Sequence, residues 1–160
     1  QSLWRDGLAR RIETGIYTLS QQEFTPGQLL AEKYIVRNCK RIGIYDSKSL
    51  AYELGISEEK PETLYIMTNG ESCAHGRTLT INGLPVHLRG HKAIICEENY
   101  KYIMALEAVK YCWHFQSDKN DRIPGFIRKN GLSPEGFMKL LPYYSENTKK
   151  QFAAVWRKRS

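Results

Sequence analysis

The pair Asn82-Gly83 restricts the folding of this chain more than any other feature. A two-residue type I′ turn needs φ > 0 twice in succession, and asparagine followed by glycine tolerates that best. The flanking segments Arg77 to Ile81 and Leu84 to Arg89 are therefore expected to form a hairpin. Thr78, Thr80 and Asn82 alternate with Leu79 and Ile81, so one face of the ribbon should be buried. Glu62 to Asn69, β-branched and apolar, reads as a central strand. Arg41 to Tyr45 reads as a short β run, and Ala93 to Cys96 as a further candidate strand.

Helical signals surround these strands. Thr25-Pro26 is a good start, threonine as N-cap and proline at the first helical position. The helix expected from Pro26 to Lys40 carries Leu29, Leu30, Ile35, Val36 and Cys39 on a broad apolar stripe. Asp46 or Ser47 should cap a two-turn helix, Ser47 to Leu54, which Gly55 stops. Asn99 to Phe115 shows the clearest long apolar periodicity. Arg122 to Asn130 follows a polar break and ends at Gly131. Ser133-Pro134-Glu135 starts another helix, which Pro142 interrupts. Ser145-Glu146-Asn147 starts the last, Asn147 to Arg159, with Phe152, Val155 and Trp156 as its apolar side. The expected class is α/β (α+β): a small mixed β-sheet with flanking helices and a helical C-terminus.

A hydrophobic content of 41% belongs to a folded protein, and no apolar run approaches the ~20 residues that span a bilayer. No signal peptide is visible, and membrane association is not expected. Cys39, Cys73, Cys96 and Cys112 contain no CxxC pair, which suggests four reduced thiols in a cytoplasmic protein. Cys39 and Cys96 have the apolar neighbours of buried free cysteines. Cys73, His75, His87 and His91 lack zinc-finger or ribbon spacing, so no metal and no cofactor are expected.

The net charge of +7 leans toward an anionic partner such as nucleic acid. The first nineteen residues sharpen this lean. Leu3, Trp4 and Leu8 look like the end of an amphipathic helix, and Gly7 supplies a turn. Residues 9–19 alternate basic, apolar and polar side chains around Gly15, as a short hairpin would. A helix end followed by a basic ribbon is how a winged helix-turn-helix finishes, with the wing on phosphate. Arg5, Arg10 and Arg11 would then touch the DNA backbone. An ordinary surface hairpin with solvated arginines is the alternative.

The run Leu3-x3-Gly7-Leu8-x2-Arg11-Ile12-x2-Gly15-Ile16-Tyr17 resembles the wing-to-linker segment of AbiEi-type antitoxins. The stretch Ile44 to Ile56, then Pro61, then Thr63 to Asn69, is similar to that family's short strand, small helix closed by Leu-Gly-Leu, proline loop and strand. The resemblance extends over about residues 1–110, and the C-terminal third matches only loosely. It implies a division into 1–20, the wing remnant of a winged helix domain, and 21–160, an antitoxin-like α/β domain. It also implies a non-enzymatic transcriptional autorepressor in a type IV toxin–antitoxin system, with operator DNA as partner. The cognate toxin, nucleotidyltransferase-like in these systems, would be opposed functionally without a stable complex.

Catalytic patterns are weak by comparison. There is no P-loop, GxSxG elbow, HExxH helix or EF-hand loop. A nucleotidyltransferase would need a Gly-Ser pair and an Asp-x-Asp, and neither occurs. A metal-dependent nuclease would require Asp46, Glu53, Glu62 and Lys48 to converge. The cations are the better lead. Lys33, Arg37, Lys40 and Arg41 lie at helical spacing on one face of the first helix and run into the next strand, and they are expected to meet DNA. Lys149, Lys150, Arg157, Lys158 and Arg159 crowd the last helix, where they could meet nucleic acid or a partner protein. That second option makes a protein-docking module the alternative to the repressor.

Overall fold

The computed structural model describes residues 9–11, 17–19, 26–71, 75–112 and 121–159. They form a mixed α+β protein of three small sheets and six α-helices. The chain is organised as two discontinuous units, residues 1–44 with 62–97 and residues 45–61 with 98–160.

In the first unit, β1 (Ala9–Arg11) and β2 (Tyr17–Leu19) pair antiparallel, with Arg10 opposite Thr18 and Arg11 opposite Tyr17. The expected turn at Gly15 and the Thr25 cap lie outside the described residues. Next comes α1 (Pro26–Ala31), which ends far short of the expected Lys40. It tightens into a 3-10 turn, Glu32–Tyr34, and then becomes a hairpin of β3 (Val36–Arg37) and β4 (Lys40–Arg41). The apolar stripe fitted a helical period, but Ile35 closes the 3-10 turn with the last helical backbone angles, and β-branched Val36 after it is extended. Asn38 (φ 52°) and Cys39 (φ 63°) supply the two left-handed residues of a tight turn. Cys39 is thus exposed, against the expectation of burial, and Cys96 is half-buried.

A cysteine with positive φ costs roughly 1 kcal/mol relative to glycine. Glycine's larger unfolded-state entropy offsets part of that strain, so Cys39→Gly is expected to raise stability by only about 0.5 kcal/mol, read as a slightly higher urea midpoint.

A four-stranded sheet runs in the order β5 (Gly43–Tyr45), β6 (Leu64–Thr68), β8 (Leu84–Arg89), β7 (Arg77–Ile81). β6 pairs parallel with β8, and β7 antiparallel with β8. The turn residues Asn82 (φ 48°) and Gly83 (φ 82°) have the two positive φ values expected of them. Ile66, Met67 and Thr68 of β6 are buried in succession, whereas β8, equally interior to the sheet, buries only the alternate residues Val86 and Leu88. With Leu29, Ala31, Ile35, Ile44 and Ile95 they form the core of this unit. Gly27 lets α1 approach the β7–β8 hairpin: a Cβ there would stand 2.6 Å from the Ile81 carbonyl oxygen.

The Ala93–Cys96 segment is not a strand. One side chain holds it instead. Asn69 Nδ2 donates to the Ile95 carbonyl at 2.7 Å, and Asn69 Oδ1 accepts from the Ile95 amide at 2.9 Å. That bidentate contact satisfies both backbone groups of Ile95 as a neighbouring strand would.

The second unit begins with α2 (Ser47–Glu53), capped by buried Asp46, whose carboxylate accepts from the Ser47 amide at 2.8 Å. Gly55 (φ 74°) stops it as expected. α3 (Tyr100–Cys112) is buried along most of its length. The end of the helix expected from Asn99 to Phe115 runs into residues 113–120, outside the described set. α4 (Arg122–Lys129), α5 (Pro134–Met138) and α6 (Glu146–Lys158) follow. The Ser133 and Ser145 hydroxyls cap α5 and α6, accepting from the Gly136 and Thr148 amides. After α5, a 3-10 turn over Leu141–Tyr143 takes up Pro142.

Phe137 is the centre of this unit's aromatic packing. Its ring lies 4.9 Å from Tyr102, 4.5 Å from Phe152 and 5.8 Å from Trp156, centroid to centroid. The Tyr102 hydroxyl accepts from the Ser133 amide at 3.1 Å and lies 3.2 Å from the Ser133 hydroxyl. The side-chain bond first, then the backbone bond, pulls this phenol below its ordinary pKa by stabilising the phenolate.

Candidate nucleic-acid interface

Seven cations were expected to meet DNA, and they fall into three groups. Arg5 lies outside the described residues. Arg10 and Arg11 are on β1, the first strand of the expected ribbon, described through their backbone alone. Lys33, Arg37, Lys40 and Arg41 do not share a helix face, because the helix ends before them. Lys33 is on the 3-10 turn with its ammonium 5.8 Å from the Tyr34 ring centroid. Arg41 is half-buried, and its Nη1 reaches the Gly43 carbonyl at 3.5 Å.

Arg37 and Lys40 are the pair that the fold brings together. They are cross-strand partners at the end of the β3–β4 hairpin, and both are exposed. Neither makes a side-chain hydrogen bond or ion pair with a described residue. Like charges directly opposite each other destabilise a ribbon by a few tenths of a kcal/mol or more. Such an arrangement is relieved when an anion binds between or across the two side chains.

The five cations expected at the C-terminus separate as well. Lys149 is tied down locally by Glu146, Nζ to carboxylate 3.0 Å, one helical turn earlier. Its position near a helix start therefore needs no partner to explain it. Lys150, Arg157 and Lys158 are exposed. The Arg159 guanidinium lies over the Trp156 ring, 3.8 Å from its centroid, and donates to the Trp156 carbonyl at 3.3 Å.

Arg128 and Lys129, exposed in the last turn of α4, do not stand out in the sequence. Arg128 Nη1 donates to the Arg159 carbonyl at 2.9 Å, which joins the ends of α4 and α6. Nothing in the spacing of residues thirty-one apart signals this contact; only the basic ending of α4 was visible.

The residues weighed for metal chemistry have other engagements. His87 Nδ1 lies 3.1 Å from the Thr78 hydroxyl and its Nε2 3.2 Å from the His75 carbonyl oxygen. His91 Nδ1 accepts from the Ala93 amide at 2.9 Å. Cys73 lies outside the described residues, and among those described no group of three His, Cys, Asp or Glu could hold an ion. Asp46 serves α2 as its cap, while Glu53, Glu62 and Lys48 are exposed. Burial pushes the Cys112 thiol up to about 11, so it is a core group and not a nucleophile. No helix among the described residues is long and apolar enough to cross a membrane.

No protein-family model, curated protein or solved structure matches this chain.

Proposed function

We propose that this chain is an AbiEi-like antitoxin of a type IV toxin–antitoxin system: a cytoplasmic, non-enzymatic autorepressor that binds operator DNA and counteracts a nucleotidyltransferase-like toxin. The observation that carries the reading is the β1–β2 ribbon, antiparallel and bearing Arg10 and Arg11 where the resemblance calls for a wing. The succession β5, α2, β6 supports it, being the strand, small helix and strand expected of the family's second domain. In this reading Arg5, Arg10 and Arg11 lie on phosphate, and the Arg37–Lys40 ribbon end adds a second contact of the same kind.

A protein-docking role for α6 has less support. Among the described residues the exposed large apolar side chains are Tyr52, Ile94, Met138 and Tyr143, and none is on that helix. Docking helices present such anchors.

The test is binding to the DNA upstream of the chain's own reading frame against a scrambled duplex, with growth rescue on co-expression of the neighbouring toxin. Preference for the upstream DNA and restored growth are expected. Arg37→Gln with Lys40→Gln should weaken binding and flatten its log–log salt dependence by about 0.9 per lost phosphate contact. Equal binding to both duplexes, together with no rescue, would reject the repressor reading.

A further inference from the structure

Residues 122–159 hold nine Lys and Arg against two Glu, a surplus that equals the whole net charge of +7. Much of it collects at one place. α4 ends in Arg128 and Lys129, α6 ends in Arg157 and Lys158, and Arg159 caps α6. The bond from Arg128 to the Arg159 carbonyl holds these two C-termini side by side.

Cations at a helix C-terminus complement its dipole, and that is the ordinary explanation for such residues. The magnitude falls short here. Each C-terminus presents about half a negative charge, so two of them offset about one of the five cations. Arg128 and Arg159 are further engaged with carbonyls and with the Trp156 ring, as the frame of the site. Lys129, Arg157 and Lys158 are exposed and make no side-chain bond to a described residue. Lys150 is exposed on the same face of α6 as Arg157, two turns earlier, with the small Ala153 between them.

We propose that the paired C-termini of α4 and α6 form a phosphate-backbone contact pad for duplex DNA, separate from the β-ribbons. Its exposed cations are Lys129, Lys150, Arg157 and Lys158. The absence of exposed large apolar residues from both helices points to nucleic acid over an acidic protein. A protein interface is built around an apolar, aromatic core, whereas a phosphodiester backbone asks for cations and hydrogen-bond donors alone. Contacts of this type are blind to sequence, so the pad adds affinity and leaves operator choice to other residues.

The inference stands without the repressor reading, and the test keeps the two apart. The full chain and its Lys129→Gln/Arg157→Gln/Lys158→Gln variant are titrated against a duplex unrelated to the chain's own promoter, over a range of salt. Glutamine is a good helix former and avoids the dipole penalty of charge reversal. The variant is expected to melt like the parent, to lose roughly tenfold or more in affinity at low salt, and to show a slope flatter by about 0.9 per contact. The Arg37→Gln/Lys40→Gln protein, run in parallel, should retain the pad's share of the slope. If the triple variant melts early, Lys158→Gln alone carries the comparison. Unchanged affinity and slope would overturn the pad. So would displacement of DNA by polyglutamate at matched charge, which would point to an acidic protein.

Discussion

Phe137→Ala is expected to destabilise the second unit by about 3–5 kcal/mol, among the largest effects any single substitution should have in this chain. The ring is 1% exposed and touches three other aromatic rings from α3 and α6. Its removal deletes the transfer energy of a phenyl group, leaves a cavity, and strips two edge-on ring contacts worth roughly 0.5–1.5 kcal/mol each. Relaxation into the cavity is limited, because Tyr102 is fixed by Ser133 and lies directly against Gly136. Chemical denaturation should show a lower midpoint with a similar slope. Trp156→Ala is the informative comparison: that indole is only half-buried, with Arg159 stacked on it, and its loss should cost less. A larger loss for Trp156 would place the centre of the cluster on α6.

Gly43→Ala should destabilise the first unit by about 3 kcal/mol or more. A Cβ at this position would collide with the Tyr34 carbonyl oxygen and stand 2.7 Å from the Met67 carbonyl oxygen. Both obstacles are backbone, so no rotamer change relieves them. The surroundings are also tightly bonded. The Thr68 hydroxyl donates to the Tyr34 carbonyl, and the Ile42 and Gly43 amides both donate to the Ile35 carbonyl, at 2.8 and 3.0 Å. The alanine must therefore push apart the junction of the 3-10 turn, β5 and β6. Thermal unfolding is the measurement, and a shift no greater than that of a surface Gly→Ala substitution would contradict the described approach.

The elements legible in the sequence were those specified by neighbours in the chain. Asn82-Gly83 determined β7, its turn and β8; Asp46 and Gly55 bounded α2; Ser133 and Ser145 marked the starts of α5 and α6. What escaped was set by residues far apart. The stripe from Leu29 to Cys39 has the period of a helix, and the turn that breaks it is Asn-Cys, without the glycine that usually announces such a turn. Ala93–Cys96 has a strand's composition, yet Asn69, twenty-six residues earlier, takes up its backbone groups.

The candidate site followed the same division. Arg37 and Lys40 were picked out by charge and do come together, as ribbon partners instead of helix neighbours. Lys149 looked available until Glu146 was seen to hold it. Arg128 and Lys129 join the C-terminal cations only through the packing of α4 beside α6.

The interleaving of the two units governs how the chain can be cut. Residues 45–61 belong with 98–160, although thirty-six residues of the other unit separate them. α2 packs on α3, and Leu50 and Ala51 are buried with it. A chain shortened at residue 97 would keep α2 and discard its partner, leaving an apolar face open to water. One starting at residue 98 would lack one of the helices that pack on α3. Neither unit is a continuous segment, so dissection by truncation produces two sticky fragments. Probing the units separately calls for point substitutions, or for removing residues 1–44 together with 62–97 and joining residue 61 to residue 98 through a short linker.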